Sequence, residues 1–113
     1  MSRGIVFIFL FLLAIILFDA CKKDEPAKVV ITVVNDVSAV VPDATVRIYS
    51  KPSTSVIDIY KKTDDSGRAY FEFDTDYVLN VYCEKEIDGN LHSGDAVVEI
   101  HVNATAEKTI MIK

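Results

Sequence analysis

The chain has 113 residues and a formal charge of −5, from 12 Lys and Arg set against 17 Asp and Glu. That acidity excludes nucleic acid as a ligand, because displacing the counterions of a phosphate backbone takes a basic face. It is otherwise an ordinary value for keeping a small domain soluble. At the N-terminus, Ser2-Arg3 precede unbroken apolar residues from Ile5 to Phe18, then Asp19-Ala20-Cys21 and the polar Lys22-Lys23-Asp24-Glu25. A basic start, a short apolar core and a small residue before a polar break follow the order of a secretory signal. The apolar run is shorter than the ~20 residues that a bilayer-crossing helix needs.

The segment resembles a bacterial lipoprotein signal, in which Cys21 is lipidated and becomes the new N-terminus. Ala20 is the small residue before the cysteine, and Leu17 stands in for the aliphatic residue further back. Lys23-Asp24-Glu25 resemble the lysine-and-acid signal that follows the cysteine in lipoproteins of the Bacteroidota type and sends them to the outer face of the cell. The resemblance implies a signal peptide over residues 1–20 and a lipidated cysteine with a charged tether over 21–27, Pro26 included. It also implies anchoring in the outer membrane with exposure on the cell surface, a periplasm-facing domain being the alternative. An ordinary signal peptide, or a single-pass anchor before a charged linker, is the competing reading.

Removing residues 1–20 of 113 leaves 93 residues, the size of one small domain. Such a chain buries only about 60–65% of its unfolded surface, enough for one modest core. With Cys21 lipidated, Cys83 stands alone, so the fold must hold without an internal disulfide in an oxidising compartment. Cys83 shares parity with Leu79 and Val81, which reads as a small buried hydrophobe rather than an exposed thiol.

Past the tether, short β-branched and aromatic runs are punctuated by Asp, Asn, Gly, Ser and Pro, the spacing of an all-β sandwich or barrel. The pattern predicts strands over Val29–Val34, Thr45–Ser50, Ser55–Lys62, Arg68–Phe73, Tyr77–Glu86, Ala96–Val102 and Lys108–Ile112. Alternation assigns faces: Val46 and Ile48 oppose Thr45, Arg47 and Tyr49, and Ala69, Phe71 and Phe73 oppose Arg68, Tyr70 and Glu72. Tyr77, Leu79, Val81 and Cys83 align in the fifth strand, and Val98, Ile100 and Val102 in the sixth. One apolar and one mixed face per strand is the pattern of two antiparallel sheets burying one face each. Asp64-Asp65-Ser66-Gly67 and Asp88-Gly89-Asn90 supply turns, from residues that tolerate positive φ or bond their own backbone.

The stretches Val40-Val41-Pro42-Asp43-Ala44-Thr45-Val46 and Thr63-Asp64-Asp65-Ser66-Gly67-Arg68-Ala69-Tyr70-Phe71 resemble the carboxypeptidase-regulatory-like domains. These are transthyretin-like (prealbumin-like), seven-stranded Greek-key β-sandwiches, and the resemblance covers roughly residues 28–113. Asp43 stands where that family commonly has glycine before the alanine. The resemblance assigns structural roles: Pro42 fixes the approach to a strand, and Gly67 supplies a positive φ at no Cβ cost.

For chemistry the chain offers little. His92 and His101 have no carboxylate or cysteine at ligand spacing, and His101 alternates with Val97 and Glu99 on the mixed face of its strand. No nucleophile elbow or phosphate loop is present, and no cofactor or metal is expected. The transthyretin-like enzymes, the hydroxyisourate hydrolases, end in Tyr-Arg-Gly-Ser, whereas this chain ends Thr109-Ile110-Met111-Ile112-Lys113; a small hydrolase is therefore the second reading. Paired acids at loop ends, Asp64 with Asp65, Asp74 with Asp76, and Asp88 with Asp95, suit either turn hydrogen bonds or a calcium ion. Tyr49, Tyr60, Tyr70 and Tyr82 form the candidate binding face, where wet rings stack on sugars or anchor a protein, unless they are ordinary cross-strand pairs. The sequence therefore predicts a lipid-anchored, non-catalytic module for binding, adhesion or scaffolding. Its partner would be an envelope or extracellular protein or glycan, met through a loop or an exposed sheet edge.

Overall fold

Alternating burial along seven strands builds two facing sheets in the computed structural model, which describes residues 24–50 and 57–113. The signal segment, Cys21 and Lys23 lie outside the described residues, as do Ser55 and Val56 of the third predicted strand. The strands are β1 (Ala27–Val34), β2 (Thr45–Tyr49), β3 (Asp58–Lys62), β4 (Arg68–Phe73), β5 (Tyr77–Ile87), β6 (Asn90–Ile100) and β7 (Thr105–Met111). One sheet has the order β4-β1-β7 and the other β3-β2-β5-β6. Read around both sheets, β2, β3, β4 and β1 follow one another as a Greek key. All pairings are antiparallel except that of β1 with β7, which is parallel.

The core lies between the sheets. Val29, Ile31 and Val33 of β1 face Val46, Ile48, Leu79 and Val81, and Phe71 and Phe73 close one side. β4 shows the strict alternation that places Ala69, Phe71 and Phe73 inward, each Phe contributing roughly 2–3 kcal/mol by area. Cys83 is fully buried in this core, as its parity predicts.

Turn chemistry fixes how the strands connect. Gly67 has φ 74, and an added Cβ would lie 2.9 Å from Val40 Cβ and 3.0 Å from the Val33 carbonyl, so both conformation and space demand glycine. Asp64 Oδ1 accepts from the amides of Ser66 and Arg68, an Asx turn that closes the β3–β4 connection. Pro42 and Asp43 turn the chain toward β2, with Asp43 at φ 57, a conformation usually left to glycine. Thr63 secures this turn: its buried hydroxyl donates to the Val41 carbonyl at 2.7 Å and accepts from the Ala44 amide at 2.8 Å.

β1 starts two residues earlier than the sequence-based bound, at Ala27, and β3 starts at Asp58, leaving Ile57 outside it; β6 and β7 depart furthest. β6 starts at Asn90 rather than Ala96, because Asp88 (φ 52) and Gly89 (φ 80) make a two-residue hairpin tip that zips β5 to β6 without interruption from Ile87↔Asn90 to Tyr77↔Ile100. It also stops at Ile100, so His101 and Val102 belong to the following loop and not to a strand face. β7 starts at Thr105 rather than Lys108, since its pairing with β1 already begins at Lys28↔Thr105.

The sheets meet at one corner. There Ser93 and Lys113 exchange both backbone hydrogen bonds, at 3.2 and 3.1 Å, and the Met111 carbonyl packs directly on Gly94.

Candidate contact surface

The outer face of the four-stranded sheet carries the densest set of interacting side chains. Register aligns Tyr60, Arg47, Tyr82 and Asp95 in one row across all four strands, and Asp58, Tyr49, Asn80 and Val97 in the next. Arg47 is the hub. Its guanidinium lies 4.2 Å from the centroid of the Tyr49 ring and 5.6 Å from that of Tyr60. It also donates from Nε and one Nη to the two oxygens of Asp58, at 2.8 and 3.1 Å. This two-pronged hydrogen bond holds the Asp58 carboxyl below its ordinary range and raises Arg47 further, so both stay charged. On the other side of Arg47, the Tyr82 hydroxyl donates to Glu84 at 3.0 Å.

The result is an aromatic surface in which Arg47 lies against the rings of Tyr49 and Tyr60 and Tyr82 is tied to Glu84, with carboxylates along its rim. Such a surface can stack on a flat ligand or seat a protein side chain while offering charged hydrogen-bond partners. Three of the four predicted tyrosines belong to it. The fourth does not: Tyr70 lies on β4, in the other sheet, where it pairs with Val30 across a depression of about 400 Å³ floored by Val30 and Thr32 and rimmed by Arg68 and Glu107. Parity within a strand gives its face but not its sheet, which is why the sequence grouped all four. A second shallow hollow of about 270 Å³ lies at the far end of the aromatic face between Lys62, Glu84 and Leu91, and there Lys85 Nζ bonds the Asp43 carbonyl at 3.2 Å.

The remaining sequence candidates separate. Cys83 is sealed, and burial pushes its thiol up to about 12, which removes it as a nucleophile. His101 is exposed, with Nδ1 3.5 Å from Asp76 and Nε2 3.4 Å from Glu99. Asp76 accepts from the Val102 amide at 2.8 Å, and this bond, with His101 beside it, holds its carboxyl below the ordinary range. Among the described residues no three His, Cys, Asp or Glu side chains converge as a metal site would require. His92 is half-buried on β6 opposite Lys85, away from these groups.

Sequence reading missed three residues. Asn103 (φ 68) accepts from the Glu25 amide at 2.6 Å, donates its own amide to the Glu25 carbonyl at 2.9 Å, and reaches Asp24 at 3.3 Å, so it clasps the end of the tether. Lys61 points inward from β3 yet donates to the Tyr70 carbonyl at 2.6 Å across the gap between sheets, with its ammonium 5.2 Å from the Phe71 ring centroid. Arg47 was visible only as one member of a mixed face. Its alternation with Tyr49 was a signal, but its partners on β3 depend on register. No family model matches the chain, and no curated protein matches it.

Proposed function

We propose that this is a lipid-anchored cell-envelope protein whose sandwich works without catalysis, as a binding, adhesion or scaffolding module of the carboxypeptidase-regulatory-like, transthyretin-like kind. The observation that carries the contact role is the Arg47 cluster, in which an ion pair orders exposed Tyr60 and half-buried Tyr49 on a face pointing away from the core. The signal-like order of residues 1–25, with Cys21 after Ala20, supports the anchor, and the clasp of Asn103 on Glu25 supports a short, defined tether. The Greek-key order of the strands supports the family kinship. The groups with displaced pKa values sit in a surface ion pair, a loop hydrogen bond and the sealed core, an arrangement that supports contact over hydrolysis. The partner is an envelope or extracellular protein or glycan.

The test expresses the full chain and Cys21→Ala in a Gram-negative host fed labelled palmitate, followed by protease shaving of intact cells. Label that depends on Cys21, together with loss of the domain on shaving, is expected; unlabelled wild-type protein refutes the anchor. A photo-crosslinking residue at Tyr60 should give adducts in envelopes that one at Tyr70 does not. Equal or absent adducts refute the aromatic face as the contact surface.

A further inference from the structure

A two-sheet sandwich has four edge strands, and each is a template for pairing unless something blunts it. Here three edges are managed. On β4, the backbone groups of Arg68 are both taken by Asp64, at 2.8 and 3.0 Å, and the Tyr70 carbonyl is taken by Lys61. On β3, Lys61 is itself an inward-pointing charge, the device that disfavours a strand docking alongside. On β7, Lys108 falls on the inward parity between Ala106 and Ile110 yet remains exposed, and the chain end is consumed by the Ser93–Lys113 pair.

The fourth edge is different. Because Ser93 directs its N–H and C=O toward Lys113, the alternation of an antiparallel ladder directs those of Asp95, Val97 and Glu99 the same way, off the free side of β6. Beyond the Ser93 corner β7 departs to pair with β1 along its whole length. The inward residues of this stretch are Ala96, Val98 and Ile100, with no charge, no proline and no bulge among them. The outward side chains are Asp95, Val97 and Glu99, all exposed, Val97 at 57%.

We propose that the Asp95–Glu99 edge of β6 is a docking site for an extended segment of another protein, which adds as a fifth strand to the four-stranded sheet. The inference rests on the contact-module reading and names the partner's chemistry. A second copy of this chain is a poor occupant: antiparallel pairing about Val97 sets Asp95 directly against Glu99 twice, and like charges in direct opposition destabilise a sheet. The fitting strand carries Lys or Arg, an apolar residue, then Lys or Arg at alternate positions. It thereby meets Asp95, Val97 and Glu99 in turn, and either strand direction satisfies the pattern. Main-chain hydrogen bonds supply affinity and the two carboxylates select the sequence.

The test uses the full-length chain in detergent micelles and a capped peptide, Thr-Lys-Thr-Val-Thr-Lys-Thr, with a control in which Glu replaces both Lys. The readout is residue-resolved amide hydrogen exchange. The Lys peptide should slow exchange at Asp95, Val97 and Glu99, and the Glu peptide should bind about ten-fold or more weakly. Val97→Pro removes an edge N–H that makes no bond to β5, so it should abolish the protection while leaving the fold intact. If that variant does not fold, the Lys peptide N-methylated at alternate residues serves instead and should fail to protect. Unprotected amides with the Lys peptide, or equal binding of the Glu peptide, overturn the proposal, whatever the palmitate result shows for the anchor.

Discussion

Gly94 is the sharpest point at which to test the fold. It is inward-facing on β6, and an added Cβ would fall well inside contact distance of the Met111 carbonyl, with Ile110 Cγ2 and Met111 C at 3.1 Å. These obstacles are largely backbone, so Gly94→Ala must push β7 off β6 and open the Ser93–Lys113 corner. Overfilling costs ~1–3 kcal/mol, and the two corner hydrogen bonds are worth ~0.5–1.5 kcal/mol each. The alanine returns ~0.4–1 kcal/mol by restricting the unfolded chain. The net loss is about 1–5 kcal/mol, centred on ~3, which in a domain of this size lowers Tm by ~12–24 °C. Gly89→Ala is the contrast: nothing lies within 4 Å of its added Cβ, and only its φ of 80 resists, at ~1–2 kcal/mol. Urea unfolding of the full chain in micelles, followed by far-UV circular dichroism, measures both. A Gly94→Ala midpoint equal to wild type, or above that of Gly89→Ala, refutes the close crossing of β7 over β6.

Thr63→Val leaves the buried Val41 carbonyl and Ala44 amide without their partner and should cost about 2–4 kcal/mol in urea unfolding, with Thr63→Ser restoring most of it. Cys83 should resist alkylation at pH 8 in the folded chain and react only as fast as the domain opens. Its folded pKa of about 12 lies above the unfolded value of 9.0, so its contribution is complete below pH 9 and is lost as pH rises from 9 toward 12. Relative to Cys83→Ala, wild type should therefore lose about 1.4 kcal/mol per pH unit in that window. Asp76 has the opposite sign: its carboxyl is depressed below 3.8, so its stabilisation is present above that pH and disappears as pH falls through the folded value. Acid unfolding curves of wild type and Asp76→Asn should accordingly converge at low pH, and a constant gap between them would remove the charge from the account.

The parts of the fold legible in the sequence are those where one face of a strand is buried and the turn is chemically marked. β4 reads cleanly because Ala69, Phe71 and Phe73 alternate with charged and polar residues and Asp64–Gly67 announce the turn before them. The first half of β6 is illegible because His92, Ser93, Gly94 and Asp95 have no apolar alternation. That segment is a strand by virtue of ladder hydrogen bonds propagated from the Asp88-Gly89 tip, and it meets the core only through the side-chain-less Gly94 against Ile110. The contact surface was half legible. The tyrosines stood out by type, but the pairing of Arg47 with Asp58 and Tyr60 is a fact of register, fixed only when β2 and β3 align Ile48 with Ile59. Lys61 was hidden for a related reason: an inward charge looks like a broken pattern until the neighbouring sheet supplies the Tyr70 carbonyl.

The aromatic face and the open edge are two sides of one surface. Asp95 ends the row Tyr60–Arg47–Tyr82–Asp95, and Val97 ends the row Asp58–Tyr49–Asn80–Val97. A strand added to β6 would therefore extend both rows by one residue. Its basic side chain would sit beside Asp95 in line with Tyr82, and its apolar one beside Val97. Ordering Arg47 through Asp58 and two rings keeps that platform rigid before anything binds, which lowers the entropy lost on docking. The clasp at Asn103 matters to the same end. Glu25 is fixed to the loop between β6 and β7, and only Lys22 and Lys23 separate Asp24 from Cys21, a reach of ~10 Å even when extended. A lipid on Cys21 would then hold the Asp74–Asp76 and His101–Ala104 end near the membrane, while β6 runs from there to the hairpin tip in solution. The Asp95–Glu99 edge would then lie in the half of β6 nearer that end, between the His101–Ala104 loop and the Ser93–Lys113 corner.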